Sequence, residues 1–271
     1  MSQTVPWPRN IPVLSLASTK GGVGKTTLAY VLATEIARRL MALPADGGTW
    51  RRCVVCLDAD PNRTLAQVLR LTEHPAIVCV ESDSDRLLPD LRAARARADL
   101  VLIDLEGTAN QAMLYAAGKS DLVLVPAQPS RFDVVEAVKT IGVVRKAADL
   151  VGRDIAHRVV LSRTPVLRQR VAEHSRGQFA RAGLPLLPVE LVQRAAFQSM
   201  TYTGQPPYAQ TGGEQAAANV TALADAVLAA AGLDLPAIEV FARAPAVSAS
   251  PAGSVQGRGA GGLAPDAHRV A

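Results

Sequence analysis

The stretch that most restricts the fold is SLASTKGGVGKTTLAYVLATEIARRL, residues 15–40, where an apolar run passes into a glycine-rich turn and then a long amphipathic helix. Gly21, Gly22 and Gly24 free the backbone to aim successive N–H groups inward at anionic oxygens. Lys25 is then placed to meet the β- and γ-phosphates of a nucleotide, and the Thr26 hydroxyl to ligate Mg2+. A helix starting near Lys25 adds its dipole to the same anion. The strict pattern G-x-x-x-x-G-K-[ST] is met only with its first position relaxed, because Ser18 or Thr19 stands where the first glycine belongs. Residues 20–27 (Lys20, Gly21, Gly22, Val23, Gly24, Lys25, Thr26 and Thr27) are thus the candidate phosphate cradle. A glycine-rich loop alone says little; strand, loop and helix in the required order say much more.

Strand-length apolar runs recur at 11–17, 53–59, 77–81, 99–105, 121–127, 158–163 and 184–189, and helix-like stretches lie between them at about 25–41, 62–71, 84–98, 108–118, 132–149, 166–182 and 190–200. The runs are continuously apolar rather than alternating, which predicts strands covered on both faces. Such a repeat predicts an α/β fold: a doubly wound, mainly parallel sheet with helices on both sides. An Ala-rich final helix is expected at 214–232. The expected organisation is an N-terminal extension at 1–10, one folded domain at 11–232 and a tail at 233–271. Beyond residue 242 that tail is too poor in apolar surface to offset its ordering entropy.

With 49% hydrophobic but only 4% aromatic residues, the core must be built from Ala, Val and Leu. Cys53, Cys56 and Cys79 are too few for a disulfide framework or a tetrahedral zinc site. Cys53 and Cys56 form a C-x-x-C inside a strand-like run, where an offset of three turns them to opposite faces; buried strand residues are expected rather than a redox pair. No run reaches the ~18 apolar residues of a membrane span, and MSQTVPWPRN lacks the apolar segment of a signal peptide, so a cytoplasmic protein is expected. The net charge of +5 rests on arginine, since the chain holds only Lys20, Lys25, Lys119, Lys139 and Lys146. Arginine forks onto phosphate, so a polyanionic partner is admissible, and an arginine-rich composition accounts for the same excess.

Lys20 ahead of the loop gives KGGVGKTT, which resembles the deviant Walker A signature of the ParA/MinD ATPase family. The resemblance covers residues 11–232. It implies an ATP- and Mg2+-dependent ATPase whose nucleotide is shared in a homodimer, with Lys20 reaching the partner's nucleotide and supplying charge in the transition state. CVVCLDADPN ends in Asp58, Asp60 and Pro61 and resembles the family's switch I. Carried over by position, Asp60 orients or deprotonates the attacking water and Asp58 helps hold the metal shell; helix N-capping is the simpler role open to either. DLVLIDLEG reads as Walker B, with Asp104 holding Mg2+ through water. The family's D-x-P-P is replaced by Asp104, Leu105, Glu106 and Gly107, and Gly107 restores a D-x-x-G spacing that lets a backbone N–H meet the γ-phosphate. Glu106 reads as a surface switch residue, with a second catalytic carboxylate as the other reading.

The resemblance further places the segment after DLVLVPAQPS and its helix at the dimer face, and Ser162 and Arg163 at the adenine edge. Pro188 has a similar claim beside an ordinary strand-ending role. Ten residues before the first strand leave no room for a helix-turn-helix, so the short ParA type is expected, and residues 163–200 resemble the VirC-type branch linked to conjugative DNA transfer. In ParA relatives an ATP dimer binds DNA without sequence preference. Arg163, Arg168, Arg170, Arg176, Arg181 and Arg194 are the candidates here, against a solvated helix face paired to Glu173. A ParB-like or other protein would stimulate hydrolysis, and the protein would sit on the nucleoid. A protein cargo such as a carboxysome or chemotaxis cluster is the alternative. A MinD-like membrane switch is disfavoured because the tail offers prolines and glycines rather than an amphipathic helix.

Overall fold

The computed structural model describes residues 11–43, 52–108, 111–167 and 170–236. In chain order these form β1 (Val13–Leu16), α1 (Lys25–Ala42), β2 (Val54–Ala59), α2 (Thr64–Thr72), β3 (Ile77–Glu81), α3 (Leu87–Arg95), β4 (Leu100–Leu105), α4 (Gln111–Lys119), β5 (Leu122–Ala127), α5 (Arg131–Val151), β6 (Ala156–Thr164), α6 (Arg170–Arg181), β7 (Leu191–Val192), α7 (Ala195–Thr203) and α8 (Glu214–Ala230). The strands make one sheet in the order β3-β2-β4-β1-β5-β6-β7, and every pairing is parallel.

Continuous apolarity along the strands has the expected cause. Leu14 and Leu16 of β1 enter one core with α1, α2, α7 and α8, while Val13 of the same strand enters the other core with α3, α4 and α5. The alternation of a strand thus divides one apolar run between two layers. Cys56 lies in the first core and Cys53 packs on the second, as the offset of three requires. Because all strands run the same way, the loops after β1, β2, β4, β5 and β6 share one edge of the sheet, the edge where doubly wound folds bind ligands.

The apolar run at 184–189 is not a strand. Pro185 and Pro188 lack the N–H a ladder needs, so only a single bridge from Leu186 to Val159 forms, and the seventh strand is Leu191–Val192, inside the stretch expected to start a helix. Leu184 and Leu187 are apolar because they are buried against the two cores. Packing also continues past residue 232: Leu235 is buried, and its carbonyl accepts from Arg39. The extension at 1–10 and the tail from 237 lie outside the described residues.

Two polar fixtures hold the layer around α1. The Arg39 guanidinium is fully buried, donating to Glu35 Oε1 at 2.8 Å, Asp225 Oδ1 at 2.6 Å and the Thr221 carbonyl at 2.9 Å, which joins α1 to α8. The Tyr30 hydroxyl donates to the Gly204 carbonyl at 2.8 Å. Gly204 ends α7 at φ +66°, and a Cβ there would stand 2.4 Å from the Leu71 carbonyl carbon of α2. Both the left-handed backbone and the lack of space demand glycine. Gly204→Ala should therefore lower the unfolding free energy by about 2 kcal/mol or more. The check is a shifted urea midpoint at unchanged slope; a variant indistinguishable from the parent would mean that α2 and α7 do not meet there.

Candidate functional site

Between β1 and α1 the chain turns with Gly22 at φ +74° and Gly24 at φ +93°. Gly24 is also the N-cap of α1 and offers no side-chain cap, so the first amides of the helix are not capped by their own chain. That is the arrangement an anion needs. Lys25 is buried at the same point, and its pKa is lowered by burial while Asp104, Asp60 and Glu106 pull it back up.

The loop is fastened from several directions. The Ser162 hydroxyl at the end of β6 is fully buried and donates to the Val23 carbonyl at 2.6 Å, with the Ala127 carbonyl at 3.3 Å. Gln128 Nε2 donates to the Gly22 carbonyl at 3.3 Å. The Thr19 amide donates to Thr140 Oγ1 at 3.1 Å and the Thr19 hydroxyl to Glu136 Oε2 at 2.7 Å, tying the loop's start to α5. Gly107 packs against it from the β4 side: a Cβ on Gly107 would lie 3.0 Å from both the amide nitrogen and the Cα of Gly21.

Lys20 is held within its own chain. Its Nζ lies 2.8 Å from Asp133 Oδ2, with the lysine about one-third exposed and the carboxylate buried. Asp133 also accepts from the Gln128 amide at 3.1 Å and from the Ser130 hydroxyl, while the Ser130 side chain caps α5 by accepting from the Asp133 amide. Asp133, Glu136 and Thr140 were not singled out by sequence. Ser130-x-x-Asp133 reads as a helix start, but nothing local announces a lysine 113 positions away.

The acids at the ends of β2 and β4 converge beside the loop, since Asp58 and Asp104 are register partners. Asp58 is wholly buried; its Oδ2 accepts from the Ala66 amide at 2.9 Å and its Oδ1 from the Asp60 amide at 3.2 Å. Its oxygens thereby pin switch I and the start of α2. Burial, more than any neighbour, raises its pKa. Asp60 is half-buried and accepts from the amide and side chain of Asn62, both at 2.9 Å. Arg63, at φ +52°, donates to the Asp58 carbonyl at 2.6 Å and to the Ser82 carbonyl, so the turn is braced against the end of β3.

Asp104 differs. It is 1% exposed, and neither carboxylate oxygen has a hydrogen-bond partner of good geometry. Burial drives its pKa up to about 7; the Thr26 hydroxyl and Lys25 oppose the rise, and Asp58 and Asp60 add to it. A buried carboxylate left without a donor beside a threonine hydroxyl and a phosphate loop is the donor set a hard divalent cation takes. Thr26 and Asp104 would hold such an ion, which supplies charge neutralisation to phosphate oxygens.

The remaining candidates are scattered. Arg163 is the extra residue of a bulge between Ser162 and Thr164, at φ +53°, exposed, with Nε 4.0 Å from where a Cβ on Gly24 would be. Ser162, expected at the adenine edge, is spent beneath the loop, and Pro188 is exposed in the bend before β7. Arg176 pairs with Glu190 rather than Glu173, Arg194 is half-buried and donates to Gln215 Oε1 at 2.7 Å, and Arg181 is exposed at the end of α6. Arg168 lies outside the described residues, as does the side chain of Arg170.

Fold, loop and acids together define a P-loop ATPase of the ParA/MinD type, carrying the additional lysine. The profile of the VirC1 protein family matches residues 11–207, most of the chain, and the protein belongs to that family. Protein ParA of Rhizobium radiobacter is 29% identical over 197 residues, 72% of this chain and 84% of that one. Maintenance of carboxysome distribution protein A of Halothiobacillus neapolitanus is 25% identical over 195 residues, 70% of this chain and 84% of that one. The fold also matches an ATP complex of Cyanothece McdA at TM-score 0.67 and 16% identity, over 85% of this chain and 100% of that one.

A proton on Asp104 competes with any cation it holds. Its pKa in the folded chain lies above the unfolded value of about 3.9, so the ligand-free protein loses stability as pH rises from that value to about 7, while the carboxylate becomes available to metal. Magnesium-dependent nucleotide affinity should therefore rise up to about tenfold per pH unit below 7 and level off above it. Titrating magnesium with a labelled nucleotide between pH 5.5 and 8.5, roughly bracketing that value, measures this; Asp104→Asn should remove the slope.

Proposed function

We propose that this chain is an ATP-driven switch: two copies close around ATP and Mg2+, the closed dimer binds DNA without sequence preference, and hydrolysis stimulated by a second protein releases it. The reading serves partition or transfer of DNA. The observation that carries it is Asp104, buried beside Thr26 and Lys25 with neither carboxylate oxygen hydrogen-bonded in good geometry, next to a glycine-rich loop whose helix start has no side-chain cap.

Each residue has a task in this reading. Gly21, Gly22 and Gly24 give the triphosphate their amides, and Lys25 meets its terminal oxygens. Magnesium, held at Thr26 and Asp104, spreads the phosphate charge. Asp60, beside Lys25 and free to change partners because it is half-exposed, orients the attacking water. Gly107, in contact with the Lys20–Gly21 backbone, senses whether a γ-phosphate has come between them. Lys20 leaves Asp133 for the nucleotide of the second copy and supplies charge there.

The likeness to a carboxysome distribution protein supports a second reading, in which the same switch spaces a protein cargo on DNA; the two differ in the stimulating partner alone. Lys20→Ala should bind labelled ATP as the parent does, yet sediment as a monomer with ATP and lose at least about tenfold in turnover, the low end of what trans-acting charge contributes to phosphoryl transfer. Turnover equal to the parent would count against the shared site.

A further inference from the structure

Of the cations expected to meet DNA on and around α6, Arg176 is held by Glu190 and Arg194 by Gln215, while Arg163 and Arg181 are exposed. A different cationic surface runs along α5. Arg131, Lys139, Arg145 and Lys146 are all exposed, and their spacings of eight, six and one place them on one face of the helix. No hydrogen bond or ion pair holds Arg131, Arg145 or Lys146 among the described residues. The acids on that side are Glu136, which pairs with Lys139 at 2.7 Å and holds Thr19, and the exposed Asp149.

The surface is concave as well as charged. Beside α5 lies a shallow, open depression of about 610 Å³ lined by Lys139, Lys146 and Glu136 of the helix and by Thr19 and Thr108. Gly142 lies between the lysines, and a Cβ there would meet nothing within 4 Å, so the depression is open at that point. The two lysines are about 10 Å apart along the axis. Along the helix Phe132, Val135 and Val138 expose apolar surface in the first turns and Leu150 and Val151 in the last, and Lys139, Arg145 and Lys146 lie between them.

Resting on the DNA-binding reading above, we infer that the middle stretch of α5, through Lys139, Arg145 and Lys146, is the element that contacts the DNA phosphate backbone, in preference to α6. Charge complementarity names the occupant: two flexible lysines at an open depression, with an exposed arginine beside them on the same helix, fit a polymer of phosphates read without sequence. A lipid surface fits less well, because the large apolar side chains that α5 exposes, Phe132, Val135, Val138, Leu150 and Val151, lie towards its two ends, and none lies between Lys139 and Lys146.

The test compares the full chain with Arg145→Glu/Lys146→Glu and, as comparator, Arg181→Gln. Retention of duplex DNA of arbitrary sequence is measured with ATP and Mg2+ across a salt series, and sedimentation follows dimer formation. Lys139 is left in place because it pairs with Glu136. The expected result is at least a tenfold loss of affinity in the α5 variant, with a salt slope shallower by about 1 for each lost contact and dimerisation retained. If the double variant fails to dimerise, Lys146→Gln alone decides: a shallower slope supports the inference, an unchanged slope overturns it. Parent-like retention in the α5 variant, above all with loss in Arg181→Gln, moves the interface to α6 and overturns it. A parent chain that retains no DNA with ATP sinks the DNA-binding reading itself. Retention on phosphatidylglycerol vesicles without retention of DNA would overturn the inference in favour of lipid.

Discussion

A loop that must present bare amides to an anion can do little to hold its shape by hydrogen-bonding to itself, and beyond the Lys20 amide's bond to Ser18 Oγ the fastenings described here come from outside. Ser162 fixes it from β6, Gln128 from the end of β5, Thr140 and Glu136 from α5, and Gly107 bears on it from the end of β4. The fasteners come from the ends of β4, β5 and β6 and from one helix, so the loop's geometry is a property of the whole parallel sheet. That also explains why the strands are buried on both faces: a sheet clamped between two cores positions its edge more firmly than loops could.

The same fasteners mark what could be read from the chain beforehand. The turn and its helix were legible because they are contiguous, and the strand ends at Asp58 and Asp104 because each acid follows an unbroken apolar run. The contacts that Asp133 and Ser162 make with the loop were not legible, since their partners lie 113 and 139 positions distant. Apolar content misled only at 184–189, where prolines forbid a ladder and leucines are apolar for burial alone. The arginines after β6 looked alike in sequence; the structure separates them by giving Arg176 a carboxylate and Arg194 a glutamine.

Charge in this molecule is correspondingly uneven in its freedom. Arg39 is locked inside as a joint between α1 and α8, and Arg63 braces a turn through backbone carbonyls. What remains for a polyanion is the portion of the positive charge with no internal duty, which a net charge of +5 does not reveal.

In the proposed switch, the Lys20–Asp133 pair bears on how the protein would tell one nucleotide from another. A lysine drawn away leaves a buried carboxylate supported by a hydroxyl and one amide, so a rival anion has to outbid it. A triphosphate is a stronger rival than a diphosphate. Loss of a single phosphoryl group would then return the lysine to its own chain, which makes the resting pair a threshold set by competing anions rather than a passive tether.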